Sequence, residues 1–295
     1  MTSLPAVILI DVLGAVAALR GQATLLGMQP ISRDVARTLG NETRRILAAG
    51  HYRSPSGQRV YIRDDLRAAV DGTIEYRPGD DLDVSQIQRR GRTRVSVVNS
   101  DALSVARQHA ERRPLVLNFA SATHPGGGWL SGARAQEESI ARSSGLVPCL
   151  EGRDIYTHNR QQQDAVYSDH VIWSPGVPVF REHHGALMEA PFACGMLTAA
   201  AVNRRRLEAR RFAEADAAMA ERIDRVIHVA AVHGHPVLVL GAWGCGAFRN
   251  DPAVVAQQFK QALRSLDGAF EDVIFAVVDW SDSRKFIGPF ASCFR

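Results

Sequence analysis

The sequence predicts an α/β domain in which a mainly parallel sheet carries helices on both faces, preceded by a helical annex. Three observations lead there. From about residue 93, short apolar runs alternate with longer helical patterns; the runs are apolar almost throughout; and two of them end in glycine-rich loops. Strands buried on both faces read as continuous apolar runs, and strand–helix alternation builds parallel sheets.

The annex comes first. In residues 32–49, Val35, Leu39, Ile46 and Leu47 recur among Arg, Asp and Glu, which is the spacing of an amphipathic helix with Ser32 as N-cap and Gly50 at its end. Residues 52–62, broken by Pro55-Ser56-Gly57, predict a hairpin or short extended pieces, and residues 64–70 a short helix closed by Asp71-Gly72. Farther on, the expected strands are 94–98, 115–120, 170–174, 196–201, 237–240 and 273–278, and the expected helices 101–111, 136–144, 208–233 and 251–266. No repeat or long linker divides this region. The expected organisation is therefore an extension over 1–28, an annex over 29–92 and one catalytic domain over 93–295.

The extension is unusual. Residues 6–19 are apolar except for Asp11 and Gly14, too short for a membrane span of about 20 residues, and no Lys or Arg precedes Arg20 as a signal peptide requires. The expectation is a start codon placed ahead of Met28, or a poorly ordered extension, with a docked helix as the alternative. The first 27 residues are then dispensable. No membrane association is expected.

Composition narrows the function classes. With 46% apolar residues the chain has ample material for a core, which excludes disorder. Its net charge of +4 is too mild to mark a nucleic-acid protein, so sequence-specific nucleic-acid binding is not expected. Cys149, Cys194, Cys245 and Cys293 are scattered, which predicts reduced thiols and a cytoplasmic protein. His183-His184 and His228/His233/His235 lack metal-ligand spacing; no metal and no cofactor are expected.

Two loops have the composition for chemistry. Ligands of such sheets bind beyond the carboxyl ends of the strands. The first loop leaves Asn118, passes Gly126, Gly127 and Gly128, and enters a helix at Gln136, Glu137 and Glu138. Consecutive glycines let backbone reach positive φ and approach a ligand closely, although a glycine triplet alone is more often a flexible turn. The second loop, Gly241-Ala-Trp-Gly244-Cys245-Gly246-Ala247-Phe248-Arg-Asn250, precedes a helix with Pro252 in its first turn and Asn250 or Asp251 as cap. Free N–H groups beside a helix start outline a phosphate site. Neither loop matches a dinucleotide fingerprint or a P-loop. Together they could grip the two phosphates of one diphosphate; Trp129 and Phe248 are able to cover its sugars or base, with a packed core place as the alternative for either and the stronger one for Trp129.

Acidic residues are favoured in any first helical turn, so the glutamates gain meaning only from following a glycine-rich loop. Neighbours on a helix point about 100° apart, so one faces the ligand while the other supports it. They cannot flank a bond on opposite sides as paired glycosidase carboxyls do. One glutamate must then act on the leaving oxygen and afterwards on water. A helix N-terminus lowers a carboxyl pKa whereas a general acid needs it raised; repulsion within the pair and desolvation by substrate push upward.

The string Asn118-Phe-Ala-Ser…Gly126-Gly-Gly…Gln136-Glu-Glu-Ser-Ile-Ala-Arg-Ser-Ser-Gly145 resembles the signature of microbial-type poly(ADP-ribose) glycohydrolases, which are built on a macrodomain. Glu42-Thr43, the stretch Tyr167-Ser-Asp-His-Val-Ile-Trp-Ser-Pro-Gly-Val-Pro-Val-Phe180 and the second loop extend the resemblance from about residue 32 to the end. It implies a three-layer α/β/α macrodomain whose sheet is mixed but mainly parallel. It also implies action on poly(ADP-ribose) or ADP-ribosylated proteins, in exo mode; separately, a monomer is expected. By the same resemblance Glu138 is the acid and base, and Glu137 holds ribose hydroxyls. Asn118, Gly126, Gly127 and Gly128 line the distal ribose. Gly244, Cys245, Gly246, Ala247 and Phe248 form the diphosphate loop, with Gln136 beside them in the site. Two rivals remain: a mono-ADP-ribosyl hydrolase of the same fold, and a non-catalytic ADP-ribose reader, which has no use for Gln136-Glu137-Glu138.

Overall fold

The computed structural model describes residues 31–295; the expectations for residues 1–28 lie outside them. The annex opens with α1 (Arg33–Ala49), capped by the Ser32 hydroxyl on the Val35 N–H and ended by Gly50 at φ 70°. A hairpin follows, β1 (His51–Arg53) against β2 (Arg59–Tyr61), and then α2 (Arg63–Asp71). The next strand, β3 (Ile74–Tyr76), is absent from the sequence expectation, and it pairs with the large sheet.

That sheet is completed by β4 (Arg94–Val98), β5 (Leu115–Phe119), β6 (Val171–Arg181), β7 (Leu187–Ala199), β8 (Val237–Leu240) and β9 (Asp272–Ala276), in the order β3-β6-β7-β5-β8-β9-β4. The pairs from β7 to β4 are parallel; β6 is antiparallel to both β3 and β7. The helices are α3 (Ala102–Gln108), α4 (Gln136–Ser143), α5 (Leu146–Leu150), α6 (Asp154–Gln162), α7 (Phe212–Val232), α8 (Pro252–Ser265) and α9 (Ile287–Cys293). Asp251, not Asn250, caps α8.

Strand residues alternate between two cores. Leu115, Leu117, Leu238, Leu240 and Phe275 pack against α7, α8 and α9. Val116, Met196, Val237, Val239 and Ile274 pack against the face that holds α3, α5 and α6. The predicted three-layer α/β/α arrangement with a mixed, mainly parallel sheet is the one observed.

Several boundaries differ from expectation. β6 and β7 run much longer than 170–174 and 196–201, forming an antiparallel arm whose far end pairs Arg181 with Leu187. Pro175-Gly176 reads as a strand end, but a register shift between Ser174 and Val177 absorbs it and the ladder resumes. The expected helix at 208–233 starts later, at Phe212, behind two short 3-10 turns.

Candidate active site

At the carboxyl ends of β4, β5, β8 and β9 lies a cavity of about 850 Å³. One wall begins at α4. The Gln136 side chain docks this helix onto β5: its Oε1 accepts the Phe119 N–H at 2.9 Å and its Nε2 donates to the Leu117 carbonyl at 2.7 Å. A side-chain amide thus completes the ladder where the β5 backbone would otherwise be open, and it sets the helix start against the strand. Gln136 also lines the cavity.

The two carboxylates that follow are held differently. Glu137 accepts the Ser121 N–H at 2.6 Å on Oε2 and the Asn118 amide at 3.4 Å on Oε1. Burial raises its carboxyl to about 8, the Glu138 charge adds to the rise, and the bonds from Ser121 and Asn118 oppose it. Glu138 accepts the Gly128 N–H at 3.0 Å on Oε1, while its buried Oε2 has no hydrogen-bond partner among the described residues. One oxygen of Glu138 is anchored and the other is not.

The glycine triplet makes this packing possible. Gly127, at φ 58°, passes so close that a Cβ would collide with the carboxyl oxygens of Glu138 and Glu137. Gly126, at φ 71°, instead packs on Val147 and Trp129 behind the wall. Asn118 is fully buried and bridges Glu137 to the Thr198 hydroxyl, at 3.2 Å. Trp129, for which a core place is the favoured expectation over covering a ligand, is 7% exposed and packs in a small core with Ala141 and Val147. Its apolar surface is worth more there than at an open rim.

The opposite wall is the loop after β8. Gly241 lets this strand end lie against β9, where a Cβ would meet the Ala276 carbonyl at 2.6 Å, and Gly244 turns at φ 73° beside the Asn250 amide. Gly244, Gly246, Ala247 and Phe248 line the cavity; Cys245 lies beneath, in the main core. The N–H groups of Gly246, Ala247 and Phe248 donate to no acceptor among the described residues. That is a cradle for an anion. Phe248 faces Tyr167, their ring centroids 6.2 Å apart, and Tyr167 sits at φ 60°.

Sequence reading missed the far end. Asp101 caps α3 through Oδ1, at 2.9 Å from the Ser104 N–H, and its buried Oδ2 has no hydrogen-bond partner among the described residues, with His183 Nδ1 3.8 Å away. Val278 and Trp280, both exposed in part, and Phe286 complete that end. The signal for Asp101 was present: an acidic cap between an apolar strand and a helix. Nothing in the sequence pointed to Arg222 on α7. Its side chain, 1% exposed, binds Asp169 at 2.8 Å and donates to the carbonyls of Val166, Tyr167 and Ala200. It thereby holds the Tyr167 loop against the sheet. Among the described residues no group of three or more His, Cys, Asp or Glu is placed to hold a metal ion, and no helix is long and apolar enough to cross a membrane.

The family described as microbial-type PARG, catalytic domain, matches residues 40–182. No curated protein matches the chain. Among solved structures, the poly(ADP-ribose) glycohydrolase of Thermomonospora curvata superposes with a TM-score of 0.81 at 41% identity, covering 88% of this chain and 99% of that one. The same enzyme with the inhibitor ADP-HPD gives a TM-score of 0.79 at 41% identity, over 87% and 98% of the two chains. The Deinococcus radiodurans glycohydrolase in complex with ADP-ribose gives 0.73 at 40% identity, over 78% and 97%. With identity and coverage this high, the chain belongs to the microbial-type poly(ADP-ribose) glycohydrolase family.

Proposed function

We propose that the chain releases ADP-ribose from poly(ADP-ribose) by hydrolysing the ribose–ribose O-glycosidic bond, with Glu138 as the proton donor and acceptor. The observation that carries this is the buried Oε2 of Glu138, without a hydrogen-bond partner among the described residues, on a side chain that lines the cavity. The strand order supports one layout of the ligand. The distal ribose lies over Gly127, Gly128 and the carboxylates beside β5, and the diphosphate meets the open N–H groups after β8. The base reaches Trp280 and Asp101 beyond β9 and β4, where the Asp101 Oδ2 is ready to accept from an exocyclic amine.

In the reaction Glu138 gives its proton to the leaving ribose oxygen as the glycosidic C–O bond breaks. The positive charge developing on the sugar is stabilised by the substrate's own diphosphate. Water then attacks the anomeric carbon and Glu138 takes its proton. Glu137, already held by Ser121 and Asn118, serves the ribose hydroxyls. Asn118, Gly126 and Cys245 support the site from behind, and Gln136 positions the pair. Exo cleavage rests on the family resemblance, and a cytoplasmic setting on four free, buried thiols.

Incubated with poly(ADP-ribose), the wild-type chain is expected to release free ADP-ribose, as monomer from the first time point. Glu138→Gln keeps the shape but loses the proton, and turnover should fall on the order of 10²–10⁴-fold while ADP-ribose still binds. Near wild-type turnover in that variant sinks the mechanism. Binding without release by the wild type makes the protein a reader, and release from mono-ADP-ribosylated protein but not from polymer selects the mono-specific rival.

A further inference from the structure

Residues 204–211 carry five arginines and one acidic residue, Glu208, in the run Arg-Arg-Arg-Leu-Glu-Ala-Arg-Arg. They divide into two sets. Arg204 pairs with Asp216 and lies over the Phe212 ring, Arg210 binds Glu208, and Arg211 binds Asp164 and Glu214. Arg205 and Arg206 are exposed and in no ion pair among the described residues. The same holds for Arg249, which directly follows Phe248.

These three belong to one surface. The Arg205 N–H donates to the Phe248 carbonyl at 3.0 Å, so the arginine run lies across the outer side of the loop whose inner side lines the cavity. The acidic groups nearby are already engaged: Glu208 with Arg210, and Asp251 with the N–H groups of Ala253 and Val254. The result is three exposed guanidinium groups with no carboxylate paired to them among the described residues, on a chain whose overall charge is +4. Guanidinium groups suit phosphate oxygens, which they meet with paired N–H donors. Arg205, Arg206 and Arg249 do not line the cavity. A polymer of ADP-ribose units carries a diphosphate in every repeat, so segments outside the cavity bring further phosphates within reach of this surface.

We propose that Arg205, Arg206 and Arg249 form a phosphate-binding surface outside the cavity that holds a segment of the polymer beyond the bound unit. The proposal rests on the reading of the substrate as poly(ADP-ribose). The surface captures polymer in preference to free ADP-ribose, raises encounter with long chains and loses its effect as salt screens it.

The test has two arms. In the first, Glu138→Gln protein, which retains polymer, is compared with the same protein carrying Arg205→Gln, Arg206→Gln and Arg249→Gln in filter binding to long poly(ADP-ribose). The expected result is affinity weaker by about tenfold at low salt for three exposed charge contacts, a flatter salt dependence, and ADP-ribose affinity within twofold. Equal polymer affinity in the two proteins overturns the proposal, as does an equal loss for polymer and for ADP-ribose. Loss of single-stranded DNA binding with polymer binding intact assigns the surface to nucleic acid and overturns it as well. In the second arm the triple variant with Glu138 intact should show a raised KM on long polymer and an unchanged kcat. Failure of the wild type to release ADP-ribose defeats the enzyme reading, whereas the filter-binding comparison still judges the surface.

Discussion

At the scale of single residues, the pair Glu137 and Glu138 illustrates how burial divides two identical side chains. Glu137 has both oxygens in hydrogen bonds and a carboxyl raised to about 8 by burial; Glu138 keeps one oxygen free. A carboxyl whose folded pKa lies above its unfolded value binds the proton more tightly in the fold, so stability is fully present below about pH 4.5 and is lost as pH rises through about 8. Glu137→Gln removes that cost. Its stability gain over wild type is expected to be near zero at pH 4.5 and on the order of a few kcal/mol at pH 8, read from urea midpoints. A gain independent of pH would mean that Glu137 binds its proton no more tightly in the fold than in the unfolded chain. The importance of both glutamates was legible from their place after a glycine-rich loop. Which oxygen is free was not, because that depends on Gly127 and Gly128 folding back over the helix start.

At the scale of elements, the strands that were easy to read are those buried on both faces. β5 and β8 are almost wholly apolar and matched expectation closely. The β6–β7 arm was not legible because Pro175, Gly176 and Pro178 are strand breakers locally, and only a partner strand reveals that a bulge accommodates them. α5 and α9 escaped for another reason: at five and seven residues each, they owe their helical form to packing rather than to periodicity. Arg222 shows the same limit between elements. Its charge on a mostly apolar helix reads as a surface residue, yet it binds three carbonyls of two other segments. Arg222→Met preserves bulk but leaves those acceptors unpaired, and a loss of about 3 kcal/mol in folding stability is expected. ADP-ribose affinity should fall with it, measured by calorimetry on the folded variant, because Tyr167 is freed. Unchanged affinity would show that the loop holds its position without Arg222.

At the scale of the whole molecule, three histidines tie stability to acid. His170 and His233 are each held down to about 4, and His235 is held below its ordinary range, all chiefly by burial. His233 is also stacked on Trp173 at 3.5 Å and bonded to the Tyr76 hydroxyl, where β3 joins the sheet. Neutral in the fold and protonated when unfolded, they contribute stability that is present above about pH 6.5 and lost as pH falls through about 4. In the Glu137→Gln background, where the opposing carboxyl is gone, the urea midpoint should drop steadily from pH 7 to pH 4.5. A flat profile would show that the histidines carry protons in the fold. The docking of Gln136 onto β5 has a consequence for how such losses reach the chemistry. The carboxylates are registered to the innermost parallel strands through a side chain that acts as backbone, so their alignment has the lifetime of the sheet rather than of the loop they follow. The annex and the outer arm brace the far end of the same helix, through the Thr43 hydroxyl and the Arg181 guanidinium on the Arg142 carbonyl, so the start that carries the carboxylates is the end tied to the centre of the molecule.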